Sequence, residues 1–161
     1  MTPFKTALFC AILSVASPAF SQTDINLGAI NADPTAPLEI TSDSLSIDQD
    51  TGTAVFLGSV LIGQGDLRLN ADRVQVFYND ASGDISRLSA SGGVTFVTAT
   101  EAAEASRAEY DLDAGTLVLS GDVLLTQGNS AISANTMRVN LTNGSAQMEG
   151  RVRTILNQGG N

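Results

Sequence analysis

With 161 residues, one cysteine and no histidine, the chain is sized for a single domain and carries no Ser-His-Asp or Cys-His catalysis and no imidazole metal site. Its formal net charge of −9 excludes non-specific nucleic-acid binding, which needs a basic face, and argues against electrostatic docking to anionic membranes. The acidity reads as a solubilising surface.

Residues 1–21 read as a cleaved signal peptide: Lys5 supplies the positive start, Ala7 to Val15 the apolar run, and Ala19-Phe20-Ser21 the small-x-small cleavage signal. The run is too short to span a bilayer and Ser17-Pro18 ends it. Cys10 lies inside the run instead of after it, which argues against a lipoprotein. The mature chain is then expected to start at Gln22 and to be free of thiols, which suits an oxidising compartment. Residues 22–37 hold two prolines and few large apolar groups, which predicts a mobile arm with at most a short edge strand near Asp24 to Leu27. Residues 157–161 read as a flexible tail.

From Leu38 to Leu156 the pattern becomes period-two alternation broken by glycine, the mark of half-buried antiparallel strands. Four units repeat. Each opens with a small-polar pair (Ser42-Asp43, Ala71-Asp72, Ala105-Ser106, Ala134-Asn135) and continues into an alternating strand (Leu45/Ile47, Val74/Val76, Ala108/Tyr110, Met137/Val139). A turn glycine follows at Gly52, Gly83, Gly115 or Gly144, and then a Gly-x-Val start at Gly58, Gly92, Gly121 or Gly150. The opening pairs recur 29, 34 and 29 residues apart, so stacked hairpins sharing one core are expected. Asn143-Gly144, Asp50-Thr51-Gly52 and Asp113-Ala114-Gly115 supply hairpin turns, and the glycine before each valine marks a bulge or corner. At Ala71-Asp72 the apolar parity shifts from odd (Leu67/Leu69) to even (Val74/Val76), as it does where a strand passes from one packed sheet to another. Thr100 to Ala108 has high helix propensity, but its place in the repeat predicts strand.

The expected inward stripe is Leu45, Ile47, Phe56, Val60, Ile62, Leu69, Val74, Val76, Leu88, Val94, Phe96, Tyr110, Leu117, Leu119, Val123, Leu125, Ile132, Met137, Val139, Met148 and Val152. Such residues build either a dry packed core or, where two sheets splay, an apolar groove for a lipid chain. Other chemistry is weak. Asp48 with Asp50 and Asp111 with Asp113 share strand faces as paired carboxylates would, yet both run into turn glycines, where aspartate bonds its own backbone. Asp48 to Gly52 lacks the closing carboxylate of a calcium loop, and Gly63-Gln64-Gly65 lacks the third glycine and helix of a dinucleotide site. No enzyme, metal or cofactor is expected.

Gly58-Ser59-Val60, then Gln64-Gly65-Asp66-Leu67-Arg68-Leu69-Asn70-Ala71-Asp72-Arg73-Val74, with Tyr78 after it, resembles the OstA-like domain family over about Leu38 to Ile155. The resemblance implies an all-β fold, an open-ended antiparallel β-jelly roll of repeated hairpins without significant helix. It implies lipopolysaccharide as ligand, with the lipid A acyl chains between the sheets and the sugars and phosphates outside. The lining is then expected from Leu45, Ile47, Phe56, Val60, Ile62, Leu69, Val74, Val76, Phe96, Tyr110, Leu117, Leu119, Val123, Leu125, Met137, Val139 and Met148. It further implies related-fold transport partners at the inner and outer membranes, and end-to-end assembly with them. The last strand, about Gln147 to Leu156, is expected to leave a free edge for head-to-tail self-association. The competing reading is a structural periplasmic β-repeat protein with a packed core and no lipid. A carbohydrate-binding module fits poorly, because tryptophan is absent and tyrosine occurs only at Tyr78 and Tyr110.

Overall fold

The computed structural model describes residues 24–26, 33 and 35–156. The expected signal segment, the C-terminal tail and most of the expected arm lie outside the described residues. Among the described residues there are eleven strands: β1 (Asp24–Asn26), β2 (Glu39–Thr41), β3 (Ser44–Asp48), β4 (Thr53–Gln64), β5 (Leu67–Tyr78), β6 (Ile85–Val97), β7 (Glu101–Asp111), β8 (Thr116–Gln127), β9 (Ser130–Asn140), β10 (Ser145–Glu149) and β11 (Arg153–Leu156). From β4 to β10 each strand pairs antiparallel with its neighbour in sequence. The order is β1-β10-β9-β8-β7-β6-β5-β4-β2, with β3 also beside β4 and β11 beside β9. The helix-prone run at Thr100 to Ala108 lies in β7 from Glu101 onward. There Ala103, Ala105 and Ala108 are buried on the inner face, and burial against the core outweighs propensity.

Every long strand is bent in the middle, and the bends line up into one crease across the sheet. Pairing breaks register between Leu57 and Val60, Asn70 and Arg73, Ser91 and Val94, Glu104 and Arg107, and Ser120 and Val123. Two kinds of corner alternate. In β4, β6 and β8 the corner is a pair of residues with positive φ, Gly58-Ser59, Gly92-Gly93 and Gly121-Asp122, and the same occurs at Gly150-Arg151 between β10 and β11. In β5, β7 and β9 it is the small-polar pair, where the buried parity switches, from odd to even in β5 and β7 and from even to odd in β9. The shift expected at Ala71-Asp72 therefore recurs at Ala105-Ser106 and Ala134-Asn135.

The two kinds of corner need each other. A Cβ on Gly92 would lie 2.7 Å from the Asp72 side chain, one on Gly121 2.8 Å from Ser106, and one on Gly150 2.7 Å from Asn135, while Gly58 stands against Asp43. Backbone bonds fix the outermost pairs, Asp43 N–H to the Gly58 carbonyl at 2.9 Å and Asn135 N–H to the Gly150 carbonyl at 2.8 Å. Glycine is required twice over, for left-handed φ and for the space that its neighbour occupies.

The crease divides the sheet into two walls that close on each other. One core runs through the molecule between them, with Phe96, Leu117, Leu119, Leu125 and Met137 among its fully buried members. Each such large side chain removed from water is worth about 1.5–3 kcal/mol. The ends of the sheet differ from expectation. Leu45 and Ile47 stand opposite Phe56 and Ala54 in register, and so on the inner face. They are nevertheless exposed, as is Val152, because among the described residues no further strand lies beyond them to complete the cover. The edge strand expected near Asp24 exists, but it pairs with the far end of the sheet: β1 lies antiparallel to β10, with Ile25 opposite Ala146. Among the described residues the expected free C-terminal edge is thus covered along β10 and open along β11.

Candidate functional site: the seam between the two walls

The first wall consists of β3, the first half of β4, the second half of β5 and their equivalents through β10. Its inner face is apolar throughout: Ala54, Val74, Val76, Leu88, Ala90, Ala108, Leu117, Leu119, Met137, Val139, Leu141, Ala146 and Met148 are buried, with Tyr110 the one polar-tipped member. The second wall presents Val60, Ile62, Leu67, Leu69, Val94, Phe96, Ala103, Ala105, Val123, Leu125 and Ala134. Of the lining expected from the sequence, all but three residues are buried here. Phe56 is half-buried, and Leu45 and Ile47 are exposed at the end of the first wall.

The walls are in contact. The void between them has a volume of only about 10 Å³, lined by Ile62, Leu67 and Leu69 on one side and Leu88, Ala90, Ala108, Tyr110, Leu117 and Leu141 on the other. That is room for about one water at most. A larger open cleft, about 650 Å³, lies between the loop 36–39 and Leu61, Gly63, Gly65 and Arg68.

Away from the crease, the inner rim of the second wall turns polar. Gln64 and Glu101 are buried there. The Glu101 carboxylate accepts bonds from the Thr98 hydroxyl at 2.5 Å and the Gln127 amide at 3.0 Å, so its charge is solvated by neutral donors, as a buried carboxylate requires. Gln64 accepts the Tyr110 hydroxyl proton at 3.0 Å across the seam and donates to the Ala36 carbonyl at 3.2 Å. Burial pushes the Tyr110 phenol above its ordinary value. The inward list expected from the sequence lacked Gln64 and Glu101, although both were legible in parity: Gln64 continues Val60/Ile62, and Glu101 precedes Ala103/Ala105.

The paired aspartates are turn residues. Asp48 accepts the N–H of Asp50 at 2.9 Å and of Thr51 at 3.2 Å, and its carboxyl is held below the usual range chiefly by the bonds from Thr51. Asp111 accepts the Ala114 N–H at 2.9 Å. Among the described residues no cluster of three or more His, Cys, Asp or Glu side chains is placed to hold a metal.

A folded-over antiparallel sheet with an apolar seam and incomplete ends is a shape shared with known proteins. Residues 39–145 match the family described as LptA/(LptD N-terminal domain) LPS transport protein. The chain belongs to that family. Within the LptA/LptD family, a 33% identical stretch of 69 residues links it to the lipopolysaccharide export system protein LptA of Escherichia coli K12, over 43% of this chain and 33% of that one. This chain therefore matches about a third of the length of that relative. An uncharacterised protein of Rhizobium meliloti is 29% identical over 154 residues, 88% of this chain and 83% of its own. The crystal structure of LptH from Pseudomonas aeruginosa, described as the LptA-homologous periplasmic component of the lipopolysaccharide transport device, superposes with a TM-score of 0.70. It is 15% identical, with 79% of this chain and 99% of that one covered. The likeness shows the jelly-roll-like fold, and the OstA-like resemblance of the sequence is borne out.

Proposed function

We propose that this chain is a periplasmic lipopolysaccharide-binding transport protein, which shields acyl chains between its walls and links inner- and outer-membrane partners through the ends of its sheet. The observation that carries the reading is the seam. One apolar surface runs unbroken through the sheet from β4 to β10, and it reaches water through Leu45 and Ile47 at one end and Val152 and Leu156 at the other. Within a lipopolysaccharide-transport family, such a surface suits a lipid whose chains cannot cross water unshielded, each buried methylene being worth about 0.8 kcal/mol. The family and the signal-like segment at 1–21 support the compartment. The exposed ends also support assembly, since an edge with free backbone groups accepts a further strand and a head-to-tail contact need not close.

The tight packing favours one competitor, a structural repeat protein with no lipid. Photoreactive residues separate the two readings. Placed at Phe96 or Leu119, they are expected to capture lipopolysaccharide, whereas at Val118 or Val55, on the opposite face, they are not. Equal labelling of both faces, or none, overturns the lipid reading and leaves the packed repeat.

A further inference from the structure

The seam is closed, and among the described residues a hydrogen bond joins wall to wall between Tyr110 and Gln64, 46 positions apart. Both sit on the side away from the crease. Gln64 ends β4 beside the β4–β5 turn, and Tyr110 lies next to the last residue of β7. The Tyr110 ring also lines the small void between the walls. The amide orientation of Gln64 follows from chemistry. The Ala36 carbonyl can only accept, so it takes the Nε2 donor and leaves Oε1 to receive the tyrosine proton. Ala36 in turn belongs to a braced segment. Its N–H bonds the Asp33 carbonyl at 3.1 Å, and the Asp33 carboxylate accepts from the Thr35 N–H at 2.9 Å and hydroxyl at 2.6 Å. That segment lies against the β4–β5 turn, where a Cβ on Gly65 would be 3.8 Å from Asp33 and 3.9 Å from Ala36.

We propose that Ala36, Gln64 and Tyr110 form a latch that holds the two walls together opposite the crease, and that lipid is admitted by its release. The inference rests on the lipid-transport reading for its purpose, but not for its mechanics. Walls joined along a crease part most easily at the opposite rim. The rim's other buried polar group, Glu101, bonds Thr98 and Gln127 within the second wall, whereas the Tyr110–Gln64 bond crosses between the walls, directional and shielded from water. Closing it keeps the apolar surface dry without cargo. Parting the rim exposes the Gln64 amide and the Tyr110 hydroxyl together, where a sugar or water can take over both bonds.

The test uses Tyr110→Phe, which keeps the ring, and Gln64→Met, which keeps the length. Val94→Ala serves as a control that loosens the core beside the crease without touching the latch. Amide exchange is read by mass spectrometry, and lipid admission by the rate at which a fluorescent polyene fatty acid gains emission. Both latch variants are expected to speed exchange in the peptides around residues 62–69 and 107–117 while those at the crease stay protected, and to speed uptake several-fold. Val94→Ala is expected to do neither. Unchanged exchange and uptake in the latch variants, or an equal response from Val94→Ala, overturns the latch. Faster exchange at the rim with no uptake by any of the proteins upholds the latch and removes the lipid reading.

Discussion

Leu45 and Ile47 occupy the same place in the first repeat that Val74 and Val76 occupy in the second and Met137 and Val139 in the fourth. The later four have 0% of their surface exposed, whereas Leu45 and Ile47 have 51% and 65%. The alternation, the preceding small-polar corner and the inward orientation are shared; only the neighbours differ. Val74 and Met137 have a strand on either side, whereas among the described residues β3 pairs with β4 alone. Burial in this sheet is therefore conferred by stacking, as in a repeat array whose terminal units stay incomplete until something caps them. The ends are built like the middle but left without a neighbour.

The largest expected effect tests that contrast directly. Leu119→Ala removes a fully buried side chain from a seam with no slack and is expected to cost about 2–5 kcal/mol of unfolding free energy. Ile47→Ala, of similar chemistry at the end of the sheet, is expected to cost less than about 0.5 kcal/mol in the isolated protein. Urea unfolding of both variants is the measurement. A large loss at Ile47 would mean that the N-terminal end is already covered.

Next comes the crease, which runs through middle and ends alike. Gly92→Ala puts a Cβ 2.7 Å from Asp72 at a φ of +85° and is expected to cost about 1–3 kcal/mol. Adding Asp72→Gly relieves the clash but not the backbone strain, so part of the loss should return. Full additivity in that double-mutant cycle would show that the two corners are not coupled.

Tyr110→Phe is expected to cost about 1–2 kcal/mol, since it leaves the buried Gln64 oxygen without its donor. It should also change the pH dependence. Burial raises the phenol in the folded state above its ordinary value of 10.0, so the folded protein holds that proton more tightly than the unfolded chain. The corresponding stability is complete below the unfolded value and is lost as pH rises through the folded one. Unfolding midpoints measured across the alkaline range should fall more steeply for the wild type than for Tyr110→Phe.

What the sequence revealed and what it concealed divide along the same line as middle and ends. The crease was legible, because Gly-x-Val and the small-polar pairs recur at fixed spacing and a corner is a local demand on φ and on side-chain size. Parity located the seam, and Ala103, Ala105 and Ala108 show why a helix-prone run became strand: every inward alanine faces the other wall. Cover at the ends was not legible. Alternation states which way Ile47 faces, but not whether anything lies above it. The partner of β1 was hidden for a similar reason, since three residues that pair about 120 positions away (Ile25 with Ala146) leave no periodic trace. The Tyr110–Gln64 bond was equally silent, because a contact between walls belongs to neither strand's own pattern.

The smallest effect on stability is expected where the effect on assembly is greatest. β1 occupies the outer edge of β10, one of the positions that an incoming domain's edge strand would pair with, while among the described residues β2 and β3 keep an open edge at the other end. Ile47→Lys places a charge on that open end, as natural sheets do to prevent edge pairing. It should leave unfolding unchanged within about 0.5 kcal/mol and weaken self-association, measured by light scattering over a wide concentration range. Removing the chain through Asn26 should act in the opposite direction. It costs only a three-residue strand but frees the β10 edge, so association should strengthen. If the shortened chain associates no better than the full one, β1 is not a cap and the β11 edge alone serves the contact. If neither change moves the scattering, and the protein forms no complex with related domains at either membrane, the bridging role falls and the fold stands.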